Sequence, residues 1–239
     1  MRRAAISRPR GIVDQSAIDA AIAKSVFAPL AAETLRDLMR GSRQLPLAPK
    51  EYFLHLGDAP RCGLIVKGFV RMGRVHPDGR KLTVGWEYPG CILGALGALR
   101  PPAALDIQAV TDTTFLEFSV RVLRERVMTD PNIAYAIAVL AIGFVRRSVD
   151  EVVMFALGDL RSRVEWRILE LACRNPPGTP LLAEITQDEL AEAVAAARPS
   201  VGRILKTLRD EGSIKSMYGG ILVVKPQALA PPPHRHEVA

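Results

Sequence analysis

The sequence is poor in the residues that build most cofactor sites. Its 239 residues include only three cysteines, Cys62, Cys91 and Cys173, and four histidines. The cysteines stand far apart, with no CxxC pair and no histidine at ligand spacing. That argues against a disulfide scaffold, a structural zinc or a cysteine-ligated iron–sulfur cluster, and for a reducing compartment. No histidine is paired with a nucleophile or carboxylate motif, so neither an enzyme nor a metal or cofactor site is expected. Long apolar runs are also missing. The longest, Ile133 to Val145, is too short to span a bilayer and ends at Arg146 and Arg147. The N-terminal MRRAAISRPRG has charge but no apolar core behind it, a poor signal peptide. A cytoplasmic protein without membrane contact is expected.

What the chain does have is a folded composition, 49% apolar, with a net charge of +7. An excess of cations suits a polyanionic partner, although nucleic acid, an anionic membrane and no partner at all fit that number equally. The length suits two modest domains, each with its own core.

Residues 1–24 read as a basic, flexible N-terminus. Ala28 to Arg40 reads as a helix with Leu35, Leu38 and Met39 on one side. From Leu45 to Phe118 short apolar or alternating runs, Tyr52 to Leu56, Gly63 to Met72 and Lys81 to Tyr88, are cut by Gly57-Asp58, Pro77-Asp78-Gly79 and Pro89-Gly90. Turn residues at such intervals predict a small all-β barrel or sandwich. Asp130 and Pro131 then open a long helix. Along it Tyr135, Ala138, Ile142, Val145, Val149, Val152 and Ala156 recur at alternating steps of three and four, a heptad seam. Ile137, Leu140, Phe144 and Val153 form a second stripe. Two stripes need two partners: the β domain of the same chain, and for the seam the same helix of a second copy, in a parallel two-fold dimer. Gly158-Asp159 ends that helix, Leu160 to Arg174 reads as another, and Asn175 to Pro180 is a loop by composition.

The stretch ITQDELAEAVAAARPSVGRILKTLRDEGSI, Ile185 to Ile214, carries the strongest signal. Thr186 and Glu189 form a capping box that starts a short helix, and Ala195-Ala196-Ala197 supplies a close turn. A second helix begins near Arg198, with Pro199 in its first turn, and stops at Gly212. Its apolar stripe is Val201, Ile204, Leu205 and Leu208. Opposite lie Pro199, Arg203, Lys206 and Asp210, with Arg198 and Gly202 beside them. Such a face fits a major groove, Arg to guanine and Lys to phosphate. Thr186 with the first-turn amides of Gln187 and Asp188 can hold a backbone phosphate. Ile214 to Val224, around Tyr218-Gly219-Gly220, reads as a hairpin. The tail from Ala230 is too polar and proline-rich to pack and is expected to be disordered.

Two resemblances follow from these residues. EYFLHLGD, GLIVKGFVRM, HPDGRKL and YPGCILGAL, in that order, resemble the cyclic-nucleotide-binding β-roll. The stretch from Ile185 resembles the winged helix-turn-helix of the Crp/Fnr family, whose pattern I-T-x-x-E-L-A … R-x-L-x-x-L-x-x-x-G-x-I it follows nearly position for position. Together they imply an α+β chain: a β-roll effector domain with flanking helices (25–130), a dimerisation helix (131–157), a winged helix-turn-helix (158–229) and a tail (230–239). They imply a transcription regulator acting as a homodimer on palindromic double-stranded DNA, with RNA polymerase as a further partner. Carried over residue by residue, Arg203 falls on the family's guanine-reading Arg and Arg198 on its neighbour at the groove edge. Pro199 stands where many members have a cytosine-reading Glu. The DNA-contacting set is then Thr186, Gln187, Arg198, Pro199, Ser200, Gly202, Arg203 and Lys206.

The roll departs from the family where the ligand would sit. Nucleotide-binding members open the phosphate cassette with Gly-Glu and close it with Arg; here Ala95 replaces the Glu, and Ala103 or Ala104 the Arg. Arg100 is the nearest cation, and Pro101-Pro102 after it argue against a phosphate-cradling short helix. Losing charge-assisted hydrogen bonds worth about 1.5 to 3 kcal/mol each argues against cyclic AMP. The pocket lining expected instead is apolar: Leu93, Ala95, Leu96, Leu99 and Leu105, with Ser148 and Val149 of the long helix. Three readings of it stay open: a filled core without ligand, an apolar or aromatic effector, and a haem or redox signal at Cys62, Cys91, His55 or His76. The family's iron–sulfur cysteine cluster is missing. A cyclic-nucleotide sensor module without DNA function is the remaining alternative.

Overall fold

The computed structural model describes residues 12–75, 81–175 and 178–230, and the chain divides into two units, Met1–Arg74 with Val84–Gly143, and Val75–Thr83 with Phe144–Ala239. The expected turn at Pro77-Asp78-Gly79, residues 1–11 and the tail beyond Ala230 lie outside the described residues.

The first unit opens with a helix where the sequence was read as flexible. Helix α1 spans Gln15–Ala23, capped by Asp14, whose carboxylate accepts the Ala17 amide at 2.9 Å. Four of the nine residues QSAIDAAIA are alanine, the best helix former, and Ile18 and Ala21, one turn apart, are buried. The basic charges before it hide a sound cap and stripe. Helix α2, Ala32–Leu38, buries Leu38 with Leu35 and Met39 packed around it, as its spacing predicts.

Eight strands follow: β1 (Arg43–Leu47), β2 (Tyr52–Leu54), β3 (Cys62–Lys67), β4 (Val70–Val75), β5 (Lys81–Glu87), β6 (Ile92–Leu93), β7 (Asp106–Ala109) and β8 (Thr113–Phe118). They form two four-stranded sheets, in the orders β1-β8-β3-β6 and β2-β7-β4-β5. The run Gly63 to Met72, which reads as one strand, is two strands in different sheets. Gly68 parts them at φ +78°, where a Cβ would lie 2.5 Å from the Asp112 carbonyl oxygen. Only glycine fits that turn.

Strand β3 explains why the run is apolar without alternation. Cys62, Leu64 and Val66 face a core shared with helices, and Ile65 faces the space between the sheets with Phe53, Val70 and Phe115. Both faces are buried, so both parities must be apolar. Between the sheets Phe53 and Phe115 stack at 4.0 Å, and Gly63 leaves room for them. The rim carries a polar cluster: Arg61 Nε donates to Glu117 at 2.7 Å, Arg43 Nε to the same carboxylate at 2.8 Å, and Arg61 also to the Phe53 carbonyl at 2.8 Å.

Helix α3 (Ala95–Leu99) follows β6, α4 (Val120–Thr129) follows β8, and α5 (Pro131–Leu157) is the expected long helix. Ile133, Ala136 and Ile137 of α5 are buried in the helix-side core, with Leu140 packed against it. Among the described residues no single helix is long and apolar enough to cross a membrane.

The second unit adds α6 (Leu160–Ala172), β9 (Leu182–Ala183), α7 (Gln187–Ala193), α8 (Arg198–Asp210), β10 (Ile214–Met217) and β11 (Gly220–Val223). Strands β10 and β11 are the expected hairpin, and β9, too short to stand out in sequence, extends it to a sheet of order β10-β11-β9. The inward residues of α6, Val164, Ile168, Leu169 and Leu171, are all buried.

Helices α7 and α8 end in the same way with different residues. Ser213 N–H bonds to Leu208 O and Gly212 N–H to Arg209 O after α8, with Gly212 at φ +68°. Ala196 N–H bonds to Ala191 O and Ala195 N–H to Glu192 O after α7, with Ala195 at φ +51°. Both are Schellman closures, and the second holds an alanine in the left-handed region.

Two expectations follow. Replacing Ala195 by glycine relieves that strain, partly offset by the greater freedom of the unfolded chain, so Ala195→Gly should raise stability by up to about 1 kcal/mol in a denaturant melt, and Ala195→Val should lower it. At Glu117, burial pushes the carboxyl up, but the bonds from Arg61 and Arg43 outweigh it and hold it below its ordinary value of 4.5. A depressed folded-state value stabilises above the unfolded one, so the advantage of wild type over Glu117→Gln should be complete at neutral pH and shrink as pH falls below about 4.5.

Candidate nucleic-acid interface

The first turn of α7 is fixed as its residues predict. Thr186 Oγ1 accepts the Glu189 amide at 3.2 Å, and Glu189 Oε2 accepts the Thr186 amide at 2.9 Å, a complete capping box. The amides of Gln187 and Asp188 come before the first residue able to bond within the helix. Helix α8 packs through Val201, Leu205 and Leu208, all buried, with Ile204 half-buried at the edge. Arg198, Pro199, Arg203 and Lys206 are exposed, on the face the periodicity assigns to them.

Two members of the predicted contact set have another visible task. Gly202 is half-buried against α7, where a Cβ would come 2.7 Å from Gln187 Nε2, and that same nitrogen donates to the Arg198 carbonyl at 3.0 Å. Gln187 and Gly202 thus make the helix crossing, because the missing side chain lets the two axes approach.

The exposed cations are held by weak, replaceable partners. Arg203 donates to Ser200 Oγ at 3.2 Å, Arg198 Nε lies 3.1 Å from Asp188, and Lys206 Nζ 3.8 Å from Asp210. Exposed pairs of this kind contribute about 0 to 1 kcal/mol, so a phosphate or a guanine edge can displace the carboxylate or hydroxyl at small cost. Arg209 ties the helix to the hairpin, donating to Ser216 Oγ at 3.2 Å.

Behind this face, α6 carries two arginine clamps. Arg161 donates two bonds to Glu211, 2.9 and 2.7 Å, at the end of α8, and another to Glu165 at 2.7 Å. Glu211 is held below its ordinary range by the Arg161 bond. Arg167, with no exposed side-chain surface, donates to both Glu151 oxygens on α5 and to Glu170, which Arg174 holds from its other side. Burial pushes Glu151 up to about 7 against the pull of Arg167, whereas Glu170, also pushed by burial, is brought below its ordinary range by Arg167 and Arg174. Arg167 is not among the residues that the motifs single out. The signal was there, since it lies three residues after Val164 and four before Leu171, on the inward stripe.

In the first unit, the cassette region forms the short helix that the two prolines seemed to forbid. Gly94 enters it at φ +79°, α3 is complete at Leu99, and Pro101 comes only after it, so the prolines follow the helix rather than interrupt it. Arg124 Nε closes its far end, donating to the Ala98 carbonyl at 2.6 Å. The predicted apolar lining is not gathered at one place. Leu93 and Leu105 pack between the sheets, Ala95 and Leu96 pack with the helices, and Leu99 is exposed. Ser148 and Val149 belong to the second unit, where the Ser148 hydroxyl donates to the Phe144 carbonyl and Val149 is exposed. Ala103 is buried in the sandwich core and Ala104 is exposed, and neither brings a charge to the cassette. A cleft of about 400 Å³ lies apart from it, lined by Arg43, Arg61, Glu117 and Arg121 among others.

Comparison with known proteins agrees with both halves. Residues 44–130 match the cyclic nucleotide-binding domain, and residues 162–231 match the Crp-like helix-turn-helix domain. The chain is 27% identical over 178 residues to the cAMP-activated global transcriptional regulator Vfr of Pseudomonas aeruginosa, covering 69% of this chain and 81% of Vfr. It is 26% identical over 183 residues to the cAMP-activated global transcriptional regulator CRP of Escherichia coli, covering 73% and 86%. In fold it is similar to the c-di-GMP-responsive global regulator CLP of Xanthomonas campestris, with a TM-score of 0.69 at 21% identity over 81% of this chain and 99% of CLP. With the two domains in this order, joined by the long helix α5, the chain belongs to the Crp/Fnr family and is a DNA-binding transcription regulator.

Proposed function

We propose that this regulator works in the cytoplasm as a homodimer, joined along α5, that reads a palindromic site with one α8 per half-site and acts with RNA polymerase. The observation that carries this reading is the seam on α5. Tyr135, Ile142, Val145, Val149 and Val152 are 54 to 73% exposed, at the alternating spacing of a coiled-coil seam. Of the second stripe Ile137 is buried in its own chain, with Ile133 and Ala136 beside it, whereas Val153 is 37% exposed. A two-fold pair covers the seam and doubles the basic face of α8, so the DNA it fits has half-sites about one helical turn apart.

Control by cyclic AMP is not part of the proposal, although both curated relatives carry that activity in their names. The α3 cassette offers Ala95, Ala103 and Ala104 where a ribose hydroxyl and a cyclic phosphate need a carboxylate and a guanidinium. A cysteine-based redox signal has little support at Cys62, because burial pushes its thiol far up and keeps it protonated.

Arg203→Ala should weaken binding to a specific site by about 1 to 3 kcal/mol and relax preference at one base pair, checked by selection from random DNA and titration. Equal loss on unrelated DNA would assign Arg203 to phosphate alone. Cyclic AMP at millimolar concentration should leave the melting temperature unchanged, and a dose-dependent rise would overturn the cassette argument.

A further inference from the structure

We propose that Arg167 is the positioning residue that fixes which half-site spacing the regulator accepts, an assignment that rests on the dimeric reading above. The final turns of α5 carry the seam residues Val145, Val149 and Val152, and Glu151 sits among them on the same turns. Arg167 grips both oxygens of Glu151, at 2.7 Å for Oε2, while its other nitrogen holds Glu170 and its guanidinium lies 4.4 Å from the Trp166 ring centre. A planar fork engaged on two sides and stacked on a ring has no torsional freedom left. It locks α5 to α6. From the start of α6, Arg161 reaches Glu211 at the end of α8. The seam residues from Val145 onward, α6 and the reading helix are therefore connected by two arginine–carboxylate clamps, all within the second unit.

The two clamps differ in stiffness. The Arg161 and Glu211 side chains are 43% and 41% exposed, so water and salt compete for that pair. The Arg167 side chain is 0% exposed and its partners Glu151 and Glu170 only 17% and 20%, so that pairing is much better sheltered from both. In a two-fold pair, any change in the angle between α5 and α6 appears twice in the separation of the reading helices. One base pair of extra spacer moves a half-site by about 3.4 Å and about a tenth of a turn. A stiff α5–α6 junction rejects that displacement, whereas a loose one follows it.

The test uses the full-length protein and the operator that wild type selects from random DNA, rebuilt with one or two base pairs added to or removed from its centre. Wild type should lose about tenfold or more in affinity per base pair of change. Arg167→Met should remain dimeric by sedimentation, bind unrelated DNA as wild type does, and lose about threefold or less across the series. Should Arg167→Met fail to fold, Arg167→Met with Glu151→Met removes both charges together and leaves Glu170 paired with Arg174; it should show the same flattened series. Arg161→Ala, at the exposed clamp, should keep the wild-type preference. A folded, dimeric Arg167 variant with the wild-type spacing profile overturns the assignment alone. Wild-type protein that selects no paired half-sites overturns the dimeric reading and this assignment with it.

Discussion

Helix α5 carries apolar side chains on two sides, and its own chain covers only one of them. Burying apolar surface contributes about 25 cal/mol per Å². The stripe of Ile133, Ala136 and Ile137 collects that gain inside its own unit, whereas the valines of the seam stand in solvent. Most of the molecule's organisation follows from this imbalance. The helix is long enough to present a seam, and the reading helix is tied to its last turns through α6.

At the α5–α6 junction that attachment runs through Arg167, Glu151 and Glu170. A buried guanidinium is expensive unless its bonds are satisfied, and an apolar replacement of the whole cluster is often as stable. What apolar packing lacks is direction. Arg167 can be satisfied in very few relative placements of Glu151 and Glu170, and valine against leucine would accept many. The weaker pairs on the outer face of α8 show the opposite use of charge. Arg198 and Lys206 rest on exposed carboxylates that polyanionic DNA can replace.

Much of this was legible in the residues. The seam, the capping box at Thr186, the stripe of α8 and its basic face all follow from periodicity, because one side chain type per face is what a solvated helix requires. Legibility failed where a local rule met a tertiary one. Gly63 to Met72 reads as one strand because burial on both faces of β3 erases alternation, and only the backbone demand at Gly68 reveals the break. Helix α1 was masked by the basic residues before it, although Asp14, Ile18 and Ala21 were sufficient signals. Gly202 looks like a reading-face residue by rotation alone and Gln187 like a phosphate contact by its place in the first turn of α7, yet the helix crossing engages both. Arg167 was invisible as a clamp because its partner lies in another helix.

Gly94 shows what the frame of the roll demands of a single residue. A Cβ there would sit 1.9 Å from the Arg61 carbonyl oxygen, and the backbone is already at φ +79°. No other residue can stand at that position without unmaking the sheet edge beside it. The polar groups of a ligand site carry no such obligation: an alanine at 95 or 103 leaves the fold intact. Steric necessity therefore binds the frame of the roll and leaves the side chains of a ligand site free of it. A match to a nucleotide-binding domain in this chain is first of all a record of how its backbone turns.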